Sequence, residues 1–139
     1  MTSALNRRLV TVPATWFITL ALIVLAPLAL PVLVVVDLLR ARPRLPLARG
    51  WVFGLAYGLL ESAMLVVVAG LWVLTGFGLA MSTRWAQRLH YSLQRWWVGR
   101  LLRLLEAVLG LRFSIEGIEA LRPGPVIVFG RHVSLVDTL

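Results

Sequence analysis

The chain has 139 residues, 60% of them hydrophobic and 14% charged, with a mean hydropathy of +0.88 and no cysteine. Soluble domains carry about a quarter of their residues charged, so this composition points to a membrane and excludes disulfide, thiolate and cysteine-ligated metal chemistry. The net charge is +8 and all 14 basic residues are arginine; because they border apolar segments, anionic lipid headgroups fit them better than nucleic acid does.

Residues 1–81 are predicted to hold two membrane-embedded helical segments, 14–36 and 51–80. The first is uncharged from Ala14 to Val36, enough for about 35 Å of helix. Arg7 and Arg8 precede it as they would a signal peptide. The run is longer than an ordinary signal core and no small-residue cleavage site follows, so a retained anchor is expected. Pro27 and Pro31 should kink it.

A basic, proline-containing linker follows, with Arg40, Arg42, Arg44 and Arg49. In the second segment Gly50, Gly54, Gly58 and Ser62 recur at every fourth position, a stripe that lets two helix backbones approach closely. The first segment is the obvious partner. Glu61 lies beside the stripe in an otherwise uncharged run. It is a functional-site candidate by default, a protonated carboxyl bonded between helices, or a residue at a bend. Arginine before, between and after the segments asks for all three regions to be cytoplasmic. Two ordinary crossings cannot satisfy that. The expectation is a re-entrant return within 51–80, bending near Gly70.

Residues 82–110 are predicted to form an amphipathic interfacial helix. Arg84, Arg88, Arg95 and Glu106 fall on one side, and Leu93, Trp97, Leu101, Leu104 and Val108 on the other. The same apolar face would serve a soluble helix covering a following domain. His90 falls on the apolar side and reads as structural, and Gly110 as a C-cap.

From residue 111 the pattern shortens. "LRFSIEG" alternates like a strand, "IEALRPGP" carries turn chemistry, and "VIVF" reads as a buried strand. His132 then falls just past a strand's carboxyl end, where open α/β sheets bind ligands. Ser134 and Asp137 have the spacing of a helix-capping pair. With His132 in the loop and Asp137 in the first helical turn, the carboxylate reaches Nδ1 and leaves Nε2 outward as a general base. Ser134 reads as a cap rather than a nucleophile. Two histidines leave too few ligands for a metal site built from this chain alone.

The stretch "IEGIEALRPGPVIVFGRHVSLVDTL" resembles the opening of the glycerolipid acyltransferase family, typified by 1-acylglycerol-3-phosphate acyltransferases. Glu116, Gly117, Glu119, Leu121, Gly124, Pro125, Ile127, Val128, His132, Ser134 and Asp137 match its E-G-x-E-x-L-P-x-G-P-x-I-V-x-x-N-H-x-S-x-x-D pattern. Arg131 stands where asparagine is commoner and is a candidate substrate-binding residue. The resemblance implies a fold class: a membrane-embedded α-helical N-terminal region followed by the start of an α/β acyltransferase domain, residues 111–139. It also implies that His132 deprotonates a lyso-glycerolipid hydroxyl, that Asp137 holds the imidazole, and that acyl-CoA or acyl-carrier protein is co-substrate. No metal, cofactor or nucleic acid is implied. The expected setting is a bacterial inner membrane with the catalytic side cytoplasmic. The family's later F-x-E-G-T-R-type block is not reached, so the chain reads as an N-terminal fragment. The alternative is a small non-catalytic integral membrane protein whose His132 and Asp137 only cap a turn.

Overall fold

A computed structural model describes residues 2–112 and 114. Helix α1 spans Thr2–Leu39, α2 spans Pro46–Leu74 and α3 spans Arg84–Leu104, the last continuing through a wider π-helical turn, Leu105–Leu109. Leu9–Leu39 and Pro46–Leu74 are each long and apolar enough to cross a membrane. Their large apolar side chains point outward: Phe17 and Leu28 are each 72% exposed, and Val24, Val66 and Leu74 are also exposed. Burying one such side chain is worth about 1.5–3 kcal/mol. A surface made of many of them is built for lipid rather than water.

α1 continues unbroken through Pro13, Pro27 and Pro31. It pairs antiparallel with α2, and the glycine stripe sets their approach. At Gly58 an added Cβ would lie 2.5 Å from Thr19 Oγ1 and 3.3 Å from its Cβ and Cγ2. Thr19 is buried, and its hydroxyl donates to the Thr15 carbonyl at 2.8 Å. Gly54 faces Leu22 in ordinary contact, whereas Gly50 faces nothing within 4 Å. The predicted partner for the stripe is therefore the observed one at Gly54 and Gly58.

α2 ends at Leu74 rather than near Ala80, and it runs straight through Gly70. This overturns the hairpin expected there. A glycine without a helix-breaking partner lowers helix stability by about 1 kcal/mol, too little to break a long apolar helix by itself. The chain turns at residues 75–83 instead. Gly76, Phe77 and Gly78 all adopt left-handed backbone, with φ of 63°, 55° and 93°. Buried Thr75 donates from Oγ1 to the carbonyls of Leu71 and Trp72 at 2.9 and 3.0 Å, closing the helix end. Trp72 and Phe77 meet edge-to-face at 5.0 Å across the turn.

α3 then returns along α2. Ala86, Leu101 and Leu105 are buried, Leu93, Trp97, Leu104 and Val108 half-buried, and Arg84, Arg88, Arg95 and Glu106 exposed, as the period had indicated. Gly110 ends the helix in left-handed backbone, φ 71°.

The expected fold class needs correction. The described residues are all-helical with connecting turns and no strand, not a helical region passing into an α/β domain. Leu111, Arg112 and Ser114, which alternate as a strand would, belong to none. A strand exists only by pairing with another, and Gly110 delivers the chain to a cluster of helix ends that offers no strand edge among the described residues.

Candidate functional site

The densest polar structure lies where α1 ends, α2 begins and α3 stops. α2 starts with Pro46 at its first turn and with Leu45 in left-handed backbone, φ 48°, which provides no side-chain cap. Its first free amides need an acceptor, as every helix start does. Asp37, at the end of α1, supplies it. Oδ2 accepts from the amides of Leu47 (2.9 Å) and Ala48 (3.1 Å), while the Asp37 carbonyl accepts from the Arg42 amide at 2.9 Å. One residue thus closes the linker turn with its backbone and caps the next helix with its side chain. Its negative charge also suits the positive end of the α2 dipole. Asp37 is fully buried, and Oδ1 has no partner among the described residues.

Arg49, on the first turns of α2, completes the junction. Its Nε donates to the carbonyl of Val108 at the end of the π-helical turn. Its guanidinium lies against Gly110, where an added Cβ would come within 3.0 Å of Nη2. A cation at a helix C-terminus satisfies an orphan carbonyl and the negative end of the dipole together. The exposed linker arginines Arg40, Arg42 and Arg44 stand at the same end, and Arg112 follows directly on the Arg49 contact. The chain therefore leaves the helical bundle at its most basic end.

Between α2 and α3 the interior is less uniform than the hydropathy suggests. The Arg49–Val108 bond sets the antiparallel register. Counting one residue back along α3 for each step forward along α2 brings Trp96 and Trp97 level with Glu61. Glu61 Oε2, Ser62 Oγ and Trp97 Nε1 are all buried without a hydrogen-bond partner among the described residues. Farther on, a groove of about 920 Å³ opens between Trp16 of α1, Leu65, Ala69 and Trp72 of α2, Met81 of the turn and His90 of α3. Its wall is mainly apolar, and His90 Nε2 is buried without a hydrogen-bond partner among the described residues. Among the described residues no three His, Cys, Asp or Glu side chains gather as a metal site requires.

The sequence-predicted catalytic pair His132 and Asp137, the candidate Arg131 and the cap Ser134 all lie outside the described residues. Of the other residues singled out in the sequence, Glu61 is on α2 and His90 on α3, and by the same register they lie under two helical turns apart. Two residues that organise the observed junction carried little signal. Asp37 is the first acidic residue of the chain, at the edge of an apolar run, and Arg49 reads as one linker arginine among four. Compared with protein-family models, curated proteins and solved structures, the chain matches none.

Proposed function

We propose that the chain is the membrane-embedded N-terminal part of an O-acyltransferase acting on glycerolipids, with His132 as general base and Asp137 as the residue that orients its imidazole. In this reaction His132 Nε2 takes the proton from a lyso-glycerolipid hydroxyl. The oxygen attacks the thioester carbonyl of acyl-CoA or acyl-carrier protein, an ester forms and the thiol leaves. Asp137 accepts from Nδ1–H and so fixes the tautomer that leaves Nε2 free. Arg131, always charged, is suited to the phosphate of the acceptor.

The observation that carries this reading is the H-x-S-x-x-D spacing of His132, Ser134 and Asp137 behind the Gly124-Pro125 dipeptide and the apolar run 126–129. It is supported by the course of the helices. Because α3 returns to the start of α2, Gly110 leaves the bundle beside Arg49 and the linker arginines. By the preference of arginine for the cytoplasmic side, that is also the side where the thioester co-substrates are found. Membrane insertion of α1 and α2, with the linker end cytoplasmic, is part of the proposal.

The test is acyl transfer from a radiolabelled acyl thioester to lysophosphatidate by membranes holding the full-length protein. His132→Ala should lower the rate by about 10²–10⁴, the usual contribution of one positioned base, while the protein stays in the membrane after carbonate washing. Full activity in His132→Ala, or no transfer by the unaltered protein, would leave the non-catalytic membrane protein as the better account.

A further inference from the structure

We propose that the linker turn between α1 and α2, joined by Arg112 where the chain leaves the bundle, is a binding surface for anionic phospholipid headgroups of the surrounding bilayer. The proposal rests on membrane insertion of α1 and α2, which the proposed function also requires, but not on acyl transfer.

The fold gives these arginines three properties that their spacing in the sequence does not. First, it fixes them in place. The turn is closed by backbone bonds, from the Ala41 amide to the Leu38 carbonyl and from the Arg42 amide to the Asp37 carbonyl, both 2.9 Å. The Leu45 amide donates to the Arg42 carbonyl at 3.0 Å, and Ala41 and Leu45 hold left-handed φ of 53° and 48°. Charges carried on a closed turn have less chain freedom to lose on binding.

Second, the fold gathers the arginines and leaves them unpaired. The Arg49 contacts with Val108 and Gly110 bring Arg112 to the end of the bundle where Arg40, Arg42 and Arg44 stand. All four are exposed, and no hydrogen bond or ion pair holds their side chains among the described residues. Asp37 is fully buried, with Oδ2 committed to the amides of Leu47 and Ala48. Glu106 is the one exposed acid among the described residues, so this end keeps a surplus of permanent positive charge.

Third, the charge adjoins apolar surface. Leu38 and Leu39 are 58% and 81% exposed immediately before Arg40, and Leu111 is exposed immediately before Arg112. Outward leucines suit hydrocarbon, and the next group out from hydrocarbon in a bilayer is the headgroup. A guanidinium fork matches the oxygens of a phosphate, and arginine clusters beside a membrane-spanning helix attract anionic lipid. A soluble anion would meet the charge but make no use of the leucines.

The test is native mass spectrometry of the full chain released from nanodiscs of equimolar phosphatidylglycerol and phosphatidylcholine with matched acyl chains. Retained lipid should be enriched in phosphatidylglycerol by about fivefold or more, the contribution of one arginine at a charged surface. The triple variant Arg40→Gln, Arg42→Gln, Arg44→Gln should lose most of that enrichment while circular dichroism shows the helices intact. Arg84→Gln, Arg88→Gln, Arg95→Gln removes the same net charge from α3 and should keep most of it. Equal loss in the two triple variants would mean that net charge alone attracts the lipid, and overturns the proposal. So does displacement of the lipid by millimolar inorganic phosphate or by poly-glutamate, which would assign the turn to a free anion or to an acidic protein. A chain that resists carbonate washing yet shows no enrichment refutes this proposal alone; a chain that washes off refutes membrane insertion as well.

Discussion

Arg49 donates from Nε to the carbonyl of Val108, a bond between residues 59 positions apart that ties the beginning of α2 to the end of α3. The guanidinium also lies against Gly110, whose left-handed φ of 71° disfavours any side chain and where an added Cβ would stand 3.0 Å from Nη2. Hydrogen bonds to charged groups contribute about 1.5–3 kcal/mol. Arg49→Ala should destabilise the protein by about that much in detergent thermal unfolding, and should speed protease cleavage between Leu105 and Arg112. Arg49→Lys should not restore stability, because a lysine has no Nε–H to bond one carbonyl while a second nitrogen reaches past a glycine. Full recovery by lysine would mean that charge alone matters at this junction.

Asp37 caps a helix it does not belong to. Removing the carboxylate leaves the amides of Leu47 and Ala48 without their acceptor in a buried place. Asp37→Ala should therefore cost about 1–3 kcal/mol, the penalty of orphaned buried donors. Asp37→Asn keeps an acceptor oxygen but gives up the charge at the helix start, and should cost less than alanine does. Chemical denaturation of the three proteins in the same detergent gives the order. An alanine variant as stable as the parent would show that water replaces the cap without penalty.

Gly58 and Thr19 mark the closest approach of α1 and α2. In Gly58→Ala the new methyl would meet Thr19 Oγ1 at 2.5 Å and its Cβ and Cγ2 at 3.3 Å, so rotating the threonine cannot clear it. Overpacking of this kind costs about 1–3 kcal/mol. Thr19→Ala removes two of the three obstructing atoms, so the double variant should recover part of the loss. The coupling measured by the four-protein cycle should be clearly non-zero. Additive effects would mean that the helices part freely at this point. Gly50→Ala, which meets nothing within 4 Å, is the control and should be neutral or slightly stabilising.

Topology distinguishes a third long helix from a surface one. α3 and its π-helical turn, Arg84–Leu109, run back beside α2 from the turn to the linker end. Single cysteines at Ala41 and Leu111, both exposed, should therefore react with an impermeant thiol reagent from the same side of the membrane, and one at Ser82 from the other. The chain has no cysteine of its own to confuse the result. Reaction of Leu111→Cys and Ser82→Cys from one side, with Ala41→Cys from the other, would mean that α3 lies on the membrane surface instead of following α2. The exposed Arg84, Arg88 and Arg95 make this a severe test, since charge at bilayer depth must face protein or water and not lipid.

The local pattern of residues by itself determined the apolar runs, the face of α3 that packs, the cap at Gly110 and the close approach at Gly58. Each of these depends on composition or on a period of 3.6 within a few turns, and neighbouring residues are enough to define it. Tertiary structure alone decided three other matters: that α2 passes Gly70 without bending, that the chain comes back through α3, and that Asp37 and Arg49 serve helices distant in sequence. A glycine permits a bend but does not require one, and its helix penalty of about 1 kcal/mol is too small to break a 29-residue helix by itself. Capping groups are interchangeable at the level of sequence, because any carboxylate satisfies an amide and any guanidinium a carbonyl. Which one does so depends on the ends that folding brings together. The same dependence on a partner separates the alternation at Leu111–Ser114 from a strand. His132 and Asp137 are legible only as a spacing, and both lie outside the described residues.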